Sequence, residues 1–109
     1  MAAGYVGTVS ADLHLPVSSS LKDKRRELRR LLARLRNQHQ CAAAEVGFHD
    51  LWQRAQVTVA VVGPDAPGLG ARLEAVSRDF HTDPAFVVVG EVRDLRPVEG
   101  EIADLGRPA

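Results

Sequence analysis

Residues 5–15 alternate between two kinds of position. Gly7, Val9, Ala11, Leu13 and Leu15 fall on one side; Val6, Thr8, Ser10, Asp12 and His14 fall on the other. A period of two predicts a strand with one buried face, ended by Pro16. The period then changes. Leu21, Leu28, Leu31, Leu32 and Leu35 share one arc of about 100° on a helical projection, which predicts an amphipathic helix over 20–38. Ser20 and Asp23 have capping-box-like spacing at its start, with the acid placed to suit the helix dipole. Lys24 projects onto the apolar arc, so its charge must either run past the sheet edge or pair with an acid on a strand.

Residues 41–48 read as a second strand. Val57, Val59 and Val61, alternating with Gln56, Thr58 and Ala60, read as a third. The segment 49–55 between them is too short for a crossover helix, so these two strands should pair antiparallel. Gly63-Pro64-Asp65-Ala66-Pro67-Gly68 is a turn in which Asp65 can cap a second helix. Leu69, Leu73, Val76 and Phe80 have helical spacing, and Thr82-Asp83-Pro84 stops that helix near residue 81. Phe86-Val87-Val88-Val89 opens a fourth strand running towards Arg96. The order is βαββαβ, of the α+β class. It implies a four-stranded antiparallel sheet with two helices on one face and strands one and three in the centre. Residues 1–97 form one domain, and 98–109, rich in Gly, Pro and acids, read as a loose tail.

A chain of 109 residues has the size of one domain, and a hydrophobic share of 45% suffices for a core. No apolar run approaches the roughly 20 residues that cross a bilayer, so no membrane partner is expected. Met1-Ala2-Ala3-Gly4-Tyr5 lacks the basic and apolar regions of a secretory signal. The single Cys41 cannot form an internal disulfide, and reads as a small buried residue in a reducing compartment. Cytoplasmic residence is the expectation.

Charge changes the picture through its distribution. The net charge is zero, yet Lys22 to Arg36 holds eight basic residues against two acidic ones. Arg25, Arg26, Arg29, Arg30 and Arg36, with Lys22, spread over the exposed side of the first helix. Arginine matches phosphate with a planar fork of donors, so this face is a candidate for RNA, including ribosomal RNA or a ribosomal subunit. The plainer alternative is a solvated helix face balanced by acids nearby.

The open sheet face should carry Thr8, Ser10, Asp12, His14, Gln56, Thr58 and Ala60. It has no aromatic residue on which bases could stack. Small polar and apolar residues there suit a ligand or sheet-to-sheet packing, so a homo-oligomer is expected. Trp52, the only tryptophan, lies beside His49, Asp50 and Arg54 and serves equally as an interface anchor or as a lid over the core. His49 and Asp50 as a base and its orienter lack a nameable nucleophile. An enzyme would need a polar cleft joining Asp12, His14, Glu45 and His49. His14, His39, His49 and His81 have no zinc-ligand spacing, and the Gly63–Gly70 stretch lacks the Lys-Ser/Thr ending of a P-loop. No cofactor, metal or catalytic residue is expected from these patterns.

Three blocks carry a family resemblance: Ser20-Leu21-Lys22-Asp23-Lys24-Arg25, Ala44-Glu45-Val46, and Asp50-Leu51-Trp52-Gln53-Arg54-Ala55. With Tyr5-Val6-Gly7 and Asp12-Leu13-His14, they resemble the YlxP-like family of small bacterial proteins over roughly residues 4–96. The resemblance implies a ferredoxin-like fold and no established activity. The family's genes often sit beside translation-initiation and ribosome-binding-factor genes, which associates it with ribosome assembly or translation. This chain departs from the family pattern at Gly47-Phe48-His49, where Asp-His-Gln is usual; His49 is the only polar group left there to substitute. The resemblance also points to Lys24 and Arg25, for which an ion pair with Glu45 or Asp50 is as good an explanation as a ligand.

Overall fold

A computed structural model describes residues 3–106. Residues 1–2 and the last three residues of the expected tail lie outside the described part. The elements follow the expected order: β1 (Tyr5–His14), α1 (Leu21–His39), β2 (Ala42–Gly47), β3 (Arg54–Gly63), α2 (Ala66–Thr82) and β4 (Val87–Pro97). The strands form one antiparallel sheet in the order β2-β3-β1-β4, with β1 and β3 central.

Alternation decides the layers. Val9, Ala11 and Leu13 of β1 and Val57, Val59 and Val61 of β3 are buried against the helices. Leu28, Leu31 and Leu35 of α1 and Leu69, Leu73, Val76 and Phe80 of α2 close the core from above. Among the described residues no layer covers the other sheet face. Gly7 lets β1 and α2 approach closely: a Cβ there would lie 2.7 Å from Leu73 Cδ1.

The helix ends obey local chemistry. Ser20 Oγ accepts from the Asp23 amide at 3.0 Å, while the Asp23 carboxylate accepts from the Ser19 amide and hydroxyl. The reciprocal arm of the box thus reaches one residue further back than the expected spacing implies. Gln40 takes a left-handed conformation and returns its N–H to Arg36 O at 3.0 Å, ending α1. Asp65 Oδ1 caps α2 by accepting from the Gly68 amide at 2.7 Å.

Boundaries differ from the expectation where tertiary pairing decides them. β3 runs from Arg54 because it pairs with β1 along that strand's whole length, from His14↔Arg54 to Tyr5↔Gly63. β2 stops at Gly47 because Phe48 adopts a positive φ of 61° that no ladder continues. Phe86 is a buried core residue in the turn before β4. Beyond Pro97 the described chain has no regular structure. Val98 is still tied down: its N–H bonds Gly4 O at 2.9 Å and its carbonyl accepts from Ala3 at 2.8 Å.

Candidate nucleic-acid interface

The cationic face of α1 divides into paired and unpaired charges. Arg30 forks onto Asp83 at 2.9 and 2.8 Å and also meets Glu27 at 2.9 Å. Asp83 is buried, and its Oδ1 accepts from the Ala85 amide as well. Burial pushes the Asp83 carboxyl up; Arg30 and that amide outweigh it and hold the group below its ordinary value. Arg34 reaches Asp79 at 3.4 Å, and Arg36 donates to Ala43 O on β2. Arg26 is a partial case, 3.6 Å from Asp23.

Lys22, Arg25 and Arg29 are different. All three are exposed, and among the described residues none has an ion-pair partner. They stand at i, i+3 and i+7, on one stripe about 10 Å long at the helical rise, with Arg26 beside it. One flank of the stripe opens into a groove of about 310 Å³ lined by Arg25, Leu28, Arg29, Leu32 and Glu45.

Beneath the stripe, Lys24 turns inward. It is only 1% exposed. Its ammonium donates to Phe48 O and Leu51 O, both at 2.6 Å, and to His49 O at 3.4 Å; Glu45 Oε2 lies 2.9 Å away. Among the described residues that Glu45 oxygen has no other polar partner. The expected pairing of Lys24 is therefore with Glu45, while Asp50 sits in the loop that Lys24 holds by its backbone. This cage shapes the β2–β3 loop, residues 48–53, which presents Phe48, Leu51 and Trp52 half-exposed, with His49 and Asp50 out in solvent. The Arg54 guanidinium stacks 4.9 Å from the Phe48 ring centroid.

On the open sheet face Asp12 accepts from Gln56 Nε2 at 3.0 Å and faces Arg54 at 3.9 Å, and Ser10 bonds Thr58 at 2.7 Å. His14 lies in register with Arg54 and Val87 at one end of the sheet. Glu45 belongs to the other face, with Lys24. The groups that an enzymatic cleft would have to join, Asp12, His14, Glu45 and His49, are thus split between two faces and a loop.

Two clusters escaped the sequence reading. Asp83 carried a visible signal only as a helix stop, and its union with Arg30 spans the fold. Glu91 on β4 gathers Ser77 at 3.0 Å, His81 at 2.9 Å and Arg93 at 2.8 Å. Ser77 is buried and donates to a carboxylate rather than to an imidazole, so it is not an activated nucleophile. Among the described residues no group of His, Cys, Asp or Glu is placed to hold a metal ion. No helix among them is long and apolar enough to cross a membrane.

Four antiparallel strands under two helices in βαββαβ order, with a cationic helix face outside, define a small α+β protein of ferredoxin-like fold. The chain belongs to the family described as protein of unknown function (DUF503), whose model matches residues 6–92. It is similar to the uncharacterized protein YlxP of Bacillus subtilis (strain 168), 33% identical over 57 residues, or 52% of this chain. The aligned part covers 62% of that relative's length.

Proposed function

We propose that this is a non-enzymatic, cytoplasmic binding protein that contacts RNA, with ribosomal RNA or a ribosomal subunit as the partner, through the solvent face of α1. One observation carries the reading: among the described residues Lys22, Arg25 and Arg29 line up without carboxylate partners, whereas Arg30, Arg34 and Arg36 on the same helix are engaged within the fold. Cations left unpaired at helical spacing give up no internal contact when they meet phosphates, and counterion release drives the association.

The test is RNA binding, by fluorescence anisotropy, to purified ribosomal RNA fragments and subunits. With three or four phosphate contacts, affinity should fall roughly 40- to 150-fold between about 50 and 200 mM salt. Arg25→Glu with Arg29→Glu should abolish binding and leave the far-ultraviolet circular dichroism of the fold in place, because among the described residues neither side chain forms an ion pair or a hydrogen bond to another element. Unchanged affinity in that variant removes α1 from the reading. Arg30 is the wrong probe, since replacing it would also orphan Asp83.

A second reading rests on the open sheet face, where small residues surround the Ser10–Thr58 pair and Val62 and Val92 are 69% and 65% exposed. Such a face suits a small ligand or an oligomer. Val92→Arg would disrupt self-association through it, and a chain that sediments as a monomer at high concentration would count against it.

A further inference from the structure

The chain carries a segment that matches the groove beside the cationic stripe. The groove has an apolar floor in Leu28 and Leu32 and a basic rim in Arg25 and Arg29. Its one carboxylate, Glu45, is already matched by Lys24 at 2.9 Å. The segment after Val98 reads Glu99-Gly100-Glu101-Ile102-Ala103-Asp104-Leu105. Its two large apolar side chains, Ile102 and Leu105, are 88% and 86% exposed. Glu99 and Glu101 form no ion pair among the described residues. The charges and the apolar positions of segment and groove are complementary.

Geometry rules out that a chain fills its own groove in this way. The backbone is anchored at Val98 by its bonds to Gly4 and Ala3. Ile102 is four residues further on, a reach of about 14 Å for extended chain. The anchor is on the β4 side of the sheet, and the groove lies above β2 at the opposite edge. Three strand spacings separate those edges by about 14 Å, and the rise to the helix layer adds about 10 Å. That straight line, about 17 Å, is longer than the reach to Ile102, and α2, which packs over β4 and β1, stands between them.

We propose that the acidic tail segment 99–105 of one chain docks into the α1–β2 groove of a second copy. Ile102 and Leu105 cover Leu28 and Leu32, and Glu99 and Glu101 meet Arg25 and Arg29. Reciprocal exchange uses both grooves and both tails and closes a two-fold dimer. The proposal does not depend on RNA binding, because it is read in the absence of nucleic acid.

The experiment is sedimentation equilibrium on the full chain, in RNA-free buffer at low salt. The wild-type chain should be a dimer. A chain ending at Val98, Arg25→Glu with Arg29→Glu, and Glu99→Lys with Glu101→Lys should each dissociate at least tenfold more readily. Combining the two charge reversals should restore the dimer, which a mere folding defect could not do. A monomeric wild type, a dimer that survives tail removal, or a combined variant no better than its parents would each overturn the proposal.

Discussion

Replacing Lys24 by Met tests how the β2–β3 loop is built. The substitution keeps the length and the helix propensity of the side chain and deletes only the ammonium. In the native fold that ammonium serves Phe48 O, Leu51 O and Glu45, all within 2.9 Å. Breaking a buried ion pair by removing one partner costs about 3–5 kcal/mol. Glu45 keeps 19% of its side-chain surface in water, and the loop carbonyls can turn outward once released, so the low end, about 3 kcal/mol, is expected. At a urea dependence of roughly 1.5 kcal/mol per molar, the unfolding midpoint should fall by about 2 M. Trp52 is the only tryptophan and lies on that loop, so its fluorescence anisotropy should drop in Lys24→Met even without denaturant. Adding Glu45→Gln to Lys24→Met should recover part of the loss, because no unpaired carboxylate then remains. A midpoint within about 0.5 M of wild type, with unchanged Trp52 anisotropy, would refute the view that this ammonium organises the loop.

Asp83 gives a pH-dependent outcome. Burial works against its carboxylate, and Arg30 with the Ala85 amide overcomes it, so the folded value lies below the ordinary 3.8. Its stabilisation is therefore complete above about pH 4 and is lost as pH falls through the lowered value; Asp83→Asn should destabilise at pH 7 by about 1–2 kcal/mol and by progressively less below pH 4 in urea titrations. Gly7→Ala should cost about 1–2 kcal/mol, because its Cβ meets the buried Leu73 at 2.7 Å. Gly70→Ala, with nothing within 4 Å, should gain up to about 1 kcal/mol in thermal melts. Burial pushes the Cys41 thiol above its ordinary value despite Arg36 and Arg72, so iodoacetamide should label it more slowly at pH 7.5 than it labels glutathione.

The parts of this molecule legible in the sequence are those governed by neighbours along the chain. The alternation of Val9, Ala11 and Leu13, the leucine arc of α1 and the Asp65 cap are each set within a few residues, and the structure carries all of them. The positive charge of α1 was equally plain. Which arginines stay unpaired was not, because Arg30 meets Asp83 across 53 positions and Arg36 is fixed by a strand carbonyl. No local period records such distances. The positive φ of Phe48 is similar: the conformation is held by an ammonium on α1, and nothing in the loop's own residues announces it. Lys24 stood between the cases, since its place on an apolar arc demanded a partner that three-dimensional structure then supplied.

The bonds that bracket Val98 also determine how the chain could be rewired. Ala3 and Val98 are hydrogen-bonded neighbours, so a linker of a few residues could join the two ends of the folded domain. New ends could then be opened in the turn at Pro64, which leaves every strand pairing intact. Opening the chain between His49 and Asp50 would instead divide the carbonyls that gather round Lys24 between two free ends. In a set of circular permutants, the β2–β3 loop should be the connection that the fold least tolerates having cut, although it lies at the surface and belongs to no helix or strand.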